Sequence, residues 1–399
     1  MNKVFRIKIL AASVLAATSF TSMADNTAKE GIDSSIDLSF RYRIETVDQD
    51  GFAEDAQAST VRTRATIKTD WSSSIDSVLE FDDVTEIGLD DFNSGLGTSP
   101  NRTQYPVVAD PEGTEMNQAF VRYTNDHTKV AVGRQRILVG NQRFVGGVGW
   151  RQNEQTYDSL TIKSNFAEKI DFSYAYVFNV NRIFGESVDA GDHTHNTHLI
   201  NLDYELAGGK LSGYYFSIDN EDALGLSNNT LGVRYSGKVN DFSYTLEFAS
   251  QSDAGDNPNS YDANYYLLDG SYKTGNASFG IGMEVLGGDV SGGQGFTTSL
   301  ATLHKFQGWA DVFLGTPSAG IEDIYLNGSY KVNGYTFKAI YHDFSSDEGS
   351  VSLGTELDLL VTKKLTKRLS GLFKFASFDS DDAGFSSRDK VWLMLTYNL

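Results

Sequence analysis

Residues 170–181 read IDFSYAYVFNVN and alternate in polarity. Ile170, Phe172 and Tyr174 fall on one parity, and Asp171 and Ser173 fall on the other. Because successive side chains of a β-strand point to opposite faces, this segment has one apolar face and one polar face. Residues 36–44, IDLSFRYRI, show the same pattern near the start of the chain.

Similar segments recur along nearly the whole chain without a clear helical pattern between them. In a soluble sandwich the apolar faces would cover a second sheet. In a closed transmembrane barrel they contact lipid, while the polar faces surround water. The repetition favours the second architecture. The predicted fold is all-β, a transmembrane antiparallel up-and-down β-barrel of about 18 strands.

The first 24 residues have the features of a secretory signal peptide. Lys3, Arg6 and Lys8 precede the apolar segment 9–20, and residues 22–24, SMA, supply a small-x-small cleavage site. No later apolar run reaches the length of about 18 residues that predicts a transmembrane helix. We therefore expect export, with residues 25–399 forming the barrel in the outer membrane of a Gram-negative cell.

The composition agrees with an exported barrel. Cysteine is absent, so no disulfide framework supports the fold. Mean hydropathy is −0.31, which excludes a helical membrane protein but suits a barrel whose inward half is polar. The net charge of −20 at pH 7 argues against nucleic acid as a partner.

Turn signals divide the chain into hairpins. Clusters of Gly, Asn, Asp and Ser suit tight turns, and these short turns alternate with longer polar segments. The longer segments are predicted at 48–58, 87–114, 139–152, 184–194, 219–228, 252–260, 287–319, 345–350 and 379–387. Bacterial outer-membrane barrels have short periplasmic turns and long external loops, so both chain ends should face the periplasm.

The last predicted strand alternates from Val391 to Leu399. Barrels of this class usually end in an aromatic residue that the barrel-assembly machinery reads, and this chain ends in leucine. We expect Tyr397 to share that role, which makes the assembly machinery an expected partner.

Charge is sorted between the two kinds of connection. The long segments are rich in Asp and Glu, whereas Lys and Arg occur in or beside the short turns. The acidic loops are either simply solvated or bridged by divalent cations to anionic lipid. Outer-membrane lipid and lipopolysaccharide are therefore expected partners.

Arginines recur on the polar parity of several predicted strands. The first, second and fourth strands carry Arg41, Arg43, Arg62, Arg64 and Arg122. On the fifth strand the pattern is mixed, because Val130 and Val132 share the parity of Arg134 and Arg136. Two interpretations stay open: a network of Arg and carboxylates that only braces a wet interior, or a track that selects anions.

Residues 133–159, GRQRILVGNQRFVGGVGWRQNEQTYDS, combine arginine, glycine and aromatic residues. Glycine permits a tight loop and a close backbone approach, and Arg binds acidic groups through a planar fork. Such a loop folded into the lumen would narrow it. The segment resembles the alginate-export family of outer-membrane barrels, and so does ATLHKFQGWADVFLGTPSAGIEDIYL at residues 301–326.

The resemblance implies an outer-membrane channel whose Arg-lined lumen passes an anionic, uronate-type sugar chain. It implies that the substrate path includes the family's motif residues, which here are Arg134, Arg136, Gln142, Arg143, Arg151 and Asn153. Export of a polymer and uptake of oligomers or small anions remain equally open. A general diffusion porin and a structural or adhesive barrel without an open pore are the alternatives.

Other chemistry has weaker support in the sequence. No Gly-x-Ser-x-Gly motif occurs, and the histidines outside residues 193–198 are scattered along the chain. We therefore expect no enzymatic activity and no cofactor. His193, His195 and His198 are weak candidates for a metal site, because alternation turns His198 away from the other two.

Overall fold

The computed structural model describes residues 32–206 and 208–399, which form one sheet of 18 antiparallel strands. The first strand pairs with both the second and the last, so the sheet closes into a barrel. This confirms the predicted fold class and strand number. The predicted signal peptide, residues 1–24, lies outside the described residues.

All strands but β5, which has eight residues, reach the length of about 10 residues that crosses a bilayer. Their bounds are β1 (Asp33–Gln49), β2 (Ala56–Asp70), β3 (Ile75–Asp91), β4 (Gly113–Thr124), β5 (Thr128–Gln135), β6 (Thr156–Ala167), β7 (Ile170–Asn181), β8 (Asp192–Leu206), β9 (Gly209–Ile218), β10 (Asn228–Val239), β11 (Phe242–Asp253), β12 (Asp262–Thr274), β13 (Ala277–Leu286), β14 (Ile321–Val332), β15 (Tyr335–Ser345), β16 (Ser352–Lys364), β17 (Leu369–Ser380) and β18 (Arg388–Asn398). The helices of the described residues are single 3-10 turns at Asp189–Gly191, Leu224–Leu226 and Leu303–Lys305.

Short and long connections alternate around the barrel, as the turn signals predict. The connections at one end of the barrel have two to four residues, whereas those at the other end run from six to 34, the longest at 287–320. The turn at Asn333 and Gly334 has φ values of +50° and +79°. Asn and Gly adopt such values at little steric cost, which is why they join tightly paired strands.

The alternation places polar side chains inside and apolar side chains outside. On β10 the side chain of Thr230 is 2% exposed, and that of the neighbouring Leu231 is 64% exposed. Exposed apolar side chains of this kind occur on the outer face of strands all around the barrel. In an outer-membrane barrel this band contacts lipid acyl chains, so burial in the bilayer replaces burial against a second sheet.

The hydrophobic core lies inside the barrel, where the long loops pack against inward-facing residues. Phe144 from a loop contacts Tyr214 on β9 and Tyr265 on β12, with ring centroids 5.4 and 5.1 Å apart. Phe313 from another loop packs on Phe344, with centroids 4.8 Å apart. The core therefore fixes the loops within the lumen.

Candidate functional site

Residues 136–155, the connection between β5 and β6, fold into the barrel; we refer to them as loop 136–155. Arg143 Nε donates to Glu284 Oε1 on β13 at 2.7 Å, and Arg151 Nη1 donates to Glu45 Oε2 on β1 at 3.1 Å. Five strands, β14 to β18, separate β13 from β1 around the ring. One loop that reaches both strands must cross the interior, as the glycine- and arginine-rich sequence predicts.

Residues 287–320, here loop 287–320, pair with the first loop. Gly146 N donates to Leu300 O at 2.8 Å, and Thr302 N donates to Gln142 O at 3.0 Å. A Cβ atom at Gly146 would lie 2.2 Å from Thr302 Oγ1, so only glycine allows this approach. The sequence-predicted Gln142 thus joins the two loops, and together they constrict the lumen.

Arg41 of β1 holds loop 136–155 from the barrel wall. Its Nε donates to Gln152 Oε1 at 2.8 Å, and its Nη1 donates to Gly149 O at 2.9 Å. The carbonyl of Arg151 accepts a further hydrogen bond. The guanidinium therefore has most of its hydrogen-bonding capacity filled by backbone and amide oxygens of one loop.

Arg43 has a comparable role two residues further along β1. Its Nη1 lies 2.9 Å from Asp110 Oδ2, and its guanidinium carbon lies 4.4 Å from the centre of the Trp150 ring. The side chain is 1% exposed. Arg41 and Arg43 thus point inward, as the alternation predicts, but protein groups already occupy them.

A second group of arginines surrounds a single carboxylate of loop 136–155. Glu154 accepts hydrogen bonds from Arg64 Nη1 at 2.7 Å and from Arg136 Nε at 2.5 Å, and Arg62 Nη1 lies 3.7 Å away. Burial by itself would raise the pKa of Glu154, but the charges of Arg64 and Arg136 lower that pKa to about 2. Glu154 is therefore ionised at neutral pH.

Glu80 and Asp82 complete this group. Asp82 accepts from Arg64 Nε at 2.6 Å, and Glu80 pairs with Arg136. Three guanidiniums (Arg62, Arg64, Arg136) thus meet three carboxylates (Glu80, Asp82, Glu154), and the formal charge of the cluster is zero. We call these six residues the arginine–carboxylate cluster.

Arg136 reaches open space. Its side chain is 26% exposed, against 7% for Arg62 and 12% for Arg64. It lines two cavities on the side of the short turns, of about 580 and 430 Å³. The guanidinium of Arg136 therefore stands where the two water-accessible spaces meet below the loops.

Two of the predicted arginines lie elsewhere. Arg122 lines the smaller cavity near the short-turn end of β4, where it pairs with Asp76 at 2.8 Å. Arg134, which was predicted to lie on the substrate path, shares the outward face of β5 with Val132 and pairs with Asp158 at 2.8 Å. Arg136 lies beyond the end of the strand, where alternation no longer applies, and its side chain reaches the interior.

The remaining motif residues support the loops. Arg143 is buried beside Glu284 and lies 4.8 Å from the Phe306 ring centre. Arg151 bridges Glu45 and Asp311, and Asn153 Nδ2 donates to a backbone carbonyl at 3.3 Å. These residues lie in the constriction but are buried in protein.

The sequence did not predict a buried hydrogen-bonded group at the tip of loop 287–320. It consists of His304, Asp311 and Lys374, which we call the latch. His304 lies 2.7 Å from Asp311 Oδ1 through Nδ1 and 2.6 Å from Lys374 Nζ through Nε2. Burial is the largest effect on His304 and lowers its pKa to about 3. A neutral ring therefore accepts from Lys374 and donates to Asp311 at neutral pH. The spacing of these three residues along the chain does not predict that their side chains meet.

Three tryptophans surround the same lysine. Lys374 Nζ lies 3.7 Å from the Trp309 ring centre, 4.3 Å from that of Trp150 and 5.3 Å from that of Trp392. Cation–π attraction of this kind strengthens when the cation is desolvated. The latch thus connects both inner loops to β17 and β18.

The weak metal candidates do not form a site. His193 and His195 stack with ring centroids 6.5 Å apart, and His198 bonds to the Tyr174 hydroxyl on another face. Across residues 32–206 and 208–399, no three His, Asp or Glu side chains are arranged to hold a metal ion.

Solved structures share this architecture. OccAB4 of Acinetobacter baumannii aligns with a TM-score of 0.71 at 13% identity, over 94% of this chain and 100% of its own. OccK11 (OpdR) of Pseudomonas aeruginosa aligns with a TM-score of 0.69 at 16% identity, over 93% and 98%. P. aeruginosa OpdK, solved with vanillate, gives 0.71 at 13% identity, over 92% and 98%. At these identities the likeness shows the fold alone.

The sequence itself carries the family assignment. No curated protein matches the chain significantly. The alginate export family model matches residues 33–286, which span β1 to β13 and include loop 136–155. The chain therefore belongs to the alginate export family and is an outer-membrane β-barrel channel of a Gram-negative cell.

Proposed function

We propose that this channel prefers anions and passes acidic, uronate-type oligo- or polysaccharides or smaller carboxylates. The observation that carries the proposal is the position of Arg136, whose partly exposed guanidinium lines both cavities below the inner loops. Arg stays charged at every physiological pH and binds a carboxylate through a planar fork. One neighbour in fold, OpdK, was solved with vanillate, which is a carboxylate.

The carboxylates that already pair with Arg136 favour transient binding of a solute over tight binding. Glu80 and Glu154 already accept hydrogen bonds from its guanidinium, so a passing carboxylate competes with two resident ones. Conduction requires binding that is favourable enough for entry and weak enough for exit. The guanidinium of Arg136 meets both requirements, because Glu80 and Glu154 reduce its net attraction for a passing anion.

The buried arginines serve this path indirectly. Arg41 and Arg43 hold loop 136–155 against β1, and Arg143 holds it against β13. They fix the backbone that carries Glu154 next to Arg136. In this proposal they are positioning residues for the constriction, and they do not contact the solute.

A barrel without an open pore is the alternative that the structure also supports. The two inner loops are hydrogen-bonded to each other across the lumen and anchored on both sides. A general diffusion porin remains the third candidate. Purified protein in planar bilayers distinguishes all three by its conductance and by its reversal potential in a KCl gradient.

Anion selectivity of the wild type supports the proposal, and cation selectivity refutes it. Absence of conductance supports the closed barrel. Liposome swelling with neutral, acidic and basic oligosaccharides then separates a specific channel from a general one, because a general porin admits all three at rates set by size.

A further inference from the structure

Two lysines face each other inside the barrel, and neither forms an ion pair with a carboxylate of the described residues. Lys129 on β5 lies directly opposite Lys163 on β6 in the register of the sheet. Both share the inward parity of their strands with the buried residues Ala131 and Thr161. Both are exposed, and both line the cavity of about 580 Å³.

Like charges at directly opposite positions destabilise an antiparallel pair, because their Cβ atoms are only about 5 Å apart. Within 32–206 and 208–399, no ion pair joins Lys129 or Lys163 to a carboxylate. On nearby strands, by contrast, Arg122 of β4 pairs with Asp76, and Lys210 of β9 pairs with Asp203. Neither ammonium group of the described structure therefore forms a direct ion pair.

The acidic residues of the cavity stand on other parts of its wall. Asp126 lies in the turn before β5, and Asp171 and Asp203 lie opposite each other on β7 and β8. Asp171 is diagonal to Lys163, since Ser173 is the residue directly opposite that lysine. Diagonal neighbours are about 7–8 Å apart, within reach of a side chain as long as lysine, but no ion pair joins Lys163 to Asp171 in the described part of the chain. An anion is thus favoured against β5 and β6 and disfavoured against β7 and β8.

The lysine pair is separate from the arginine–carboxylate cluster. The cavity extends from the short turn at residues 125–128 to residues 135–140 at the start of loop 136–155. Arg136 lies at one end of this cavity, and the lysines lie toward the periplasmic turn. A solute that passes Arg136 therefore next encounters the lysine pair, a second positively charged binding position.

We propose that Lys129 and Lys163 bind small dianions, such as dicarboxylates, at the periplasmic mouth of the barrel. Two uncompensated ammonium groups are neutralised by two negative charges, so a dianion gains one more ion pair than a monoanion of similar size. The site rests on the proposed function in one respect, because solute reaches it through an anion-conducting lumen. Neutral groups that line the same cavity, including Asn165 and Ser173, supply hydrogen bonds to the remaining oxygens.

The test compares succinate with propionate as blockers of chloride current through single channels in planar bilayers. Each is added in turn to either face. The variant is K129Q/K163Q, and the matched control is K238Q/K273Q, which removes two inward lysines from the same rim but outside this cavity. All four lysines are exposed, so both variants should fold; heat-modifiable gel mobility checks that they do.

In the wild type, succinate should block at a concentration roughly fivefold below propionate, which is the effect of one additional partly exposed ion pair. K129Q/K163Q should abolish this difference, and K238Q/K273Q should preserve it. Equal block by the two acids in the wild type overturns the site, as does equal loss of discrimination in both variants. A cation-selective wild type in KCl alone refutes the proposed function instead, so the two failures are distinguishable.

Discussion

Replacement of Arg136 by glutamine should convert the neutral arginine–carboxylate cluster into a negative one. The cluster contains three guanidiniums and three carboxylates, so R136Q leaves a net charge of −1 where the two cavities meet. At a separation of about 5 Å, two unit charges interact with about 0.8 kcal/mol in bulk water and about 3 kcal/mol at an effective dielectric constant of 20. The barrier for a monovalent anion should rise within that range.

A rise of about 1.4 kcal/mol corresponds to a tenfold change in rate, so the chloride-to-potassium permeability ratio should fall by roughly one order of magnitude. The reverse substitution supplies the matched control. E154Q removes a carboxylate from the same cluster, leaves a net charge of +1 and should raise the ratio. The double variant E154Q/R136Q restores neutrality and should return close to the wild-type ratio.

Reversal potentials across a KCl gradient measure all four proteins. The differences should shrink as the salt concentration rises, because screening shortens the range of the charges. If R136Q and E154Q shift the ratio in the same direction, the effect comes from movement of loop 136–155 and the electrostatic reasoning is wrong. If R136Q leaves the ratio unchanged, solute does not pass the guanidinium.

Two further predictions concern the loops. G146A should separate loop 136–155 from Thr302 and raise single-channel conductance, because an added Cβ would lie 2.2 Å from Thr302 Oγ1; G225A, with nothing within 4 Å of its Cβ, should leave conductance unchanged. His304 has a pKa lowered to about 3 by burial, so the unfolded chain binds the extra proton first as pH falls. Its contribution to stability is complete above about pH 6.5 and is lost between there and pH 3. Thermal melts of wild type and H304N should therefore converge on acidification, and a constant difference would contradict the assignment.

The local sequence pattern was sufficient to predict the barrel. The period of two in segments such as 170–181, together with turn residues such as Asn333 and Gly334, predicts strands, hairpins and the alternation of short and long connections. These are short-range properties, since each strand pairs with its neighbour in sequence and its faces are set by alternation. The count of 18 strands is confirmed for that reason.

The candidate site was predictable only in part. Arg41, Arg43, Arg62 and Arg64 lie on regular strands, so their inward direction follows from parity. Arg134 and Arg136 lie at the end of β5, where parity stops being a guide, and their side chains go to different faces. Sequence alone could not assign the burial of Arg43, because Asp110 and Trp150 come from loops that are distant along the chain.

Sequence pattern suffices to predict the barrel, the face on which polar groups lie and an unusual arginine-rich loop. Which charged groups are paired within the protein and which face open space is visible only in the folded molecule. Glu80, Asp82 and Glu154 balance the charges of three arginines, and His304 links Asp311 to Lys374, whereas no carboxylate of the described residues pairs with Lys129 or Lys163. The physical reason is that ion pairing depends on distances of a few ångströms between residues brought together by ring closure and loop insertion, and no local periodicity encodes those distances.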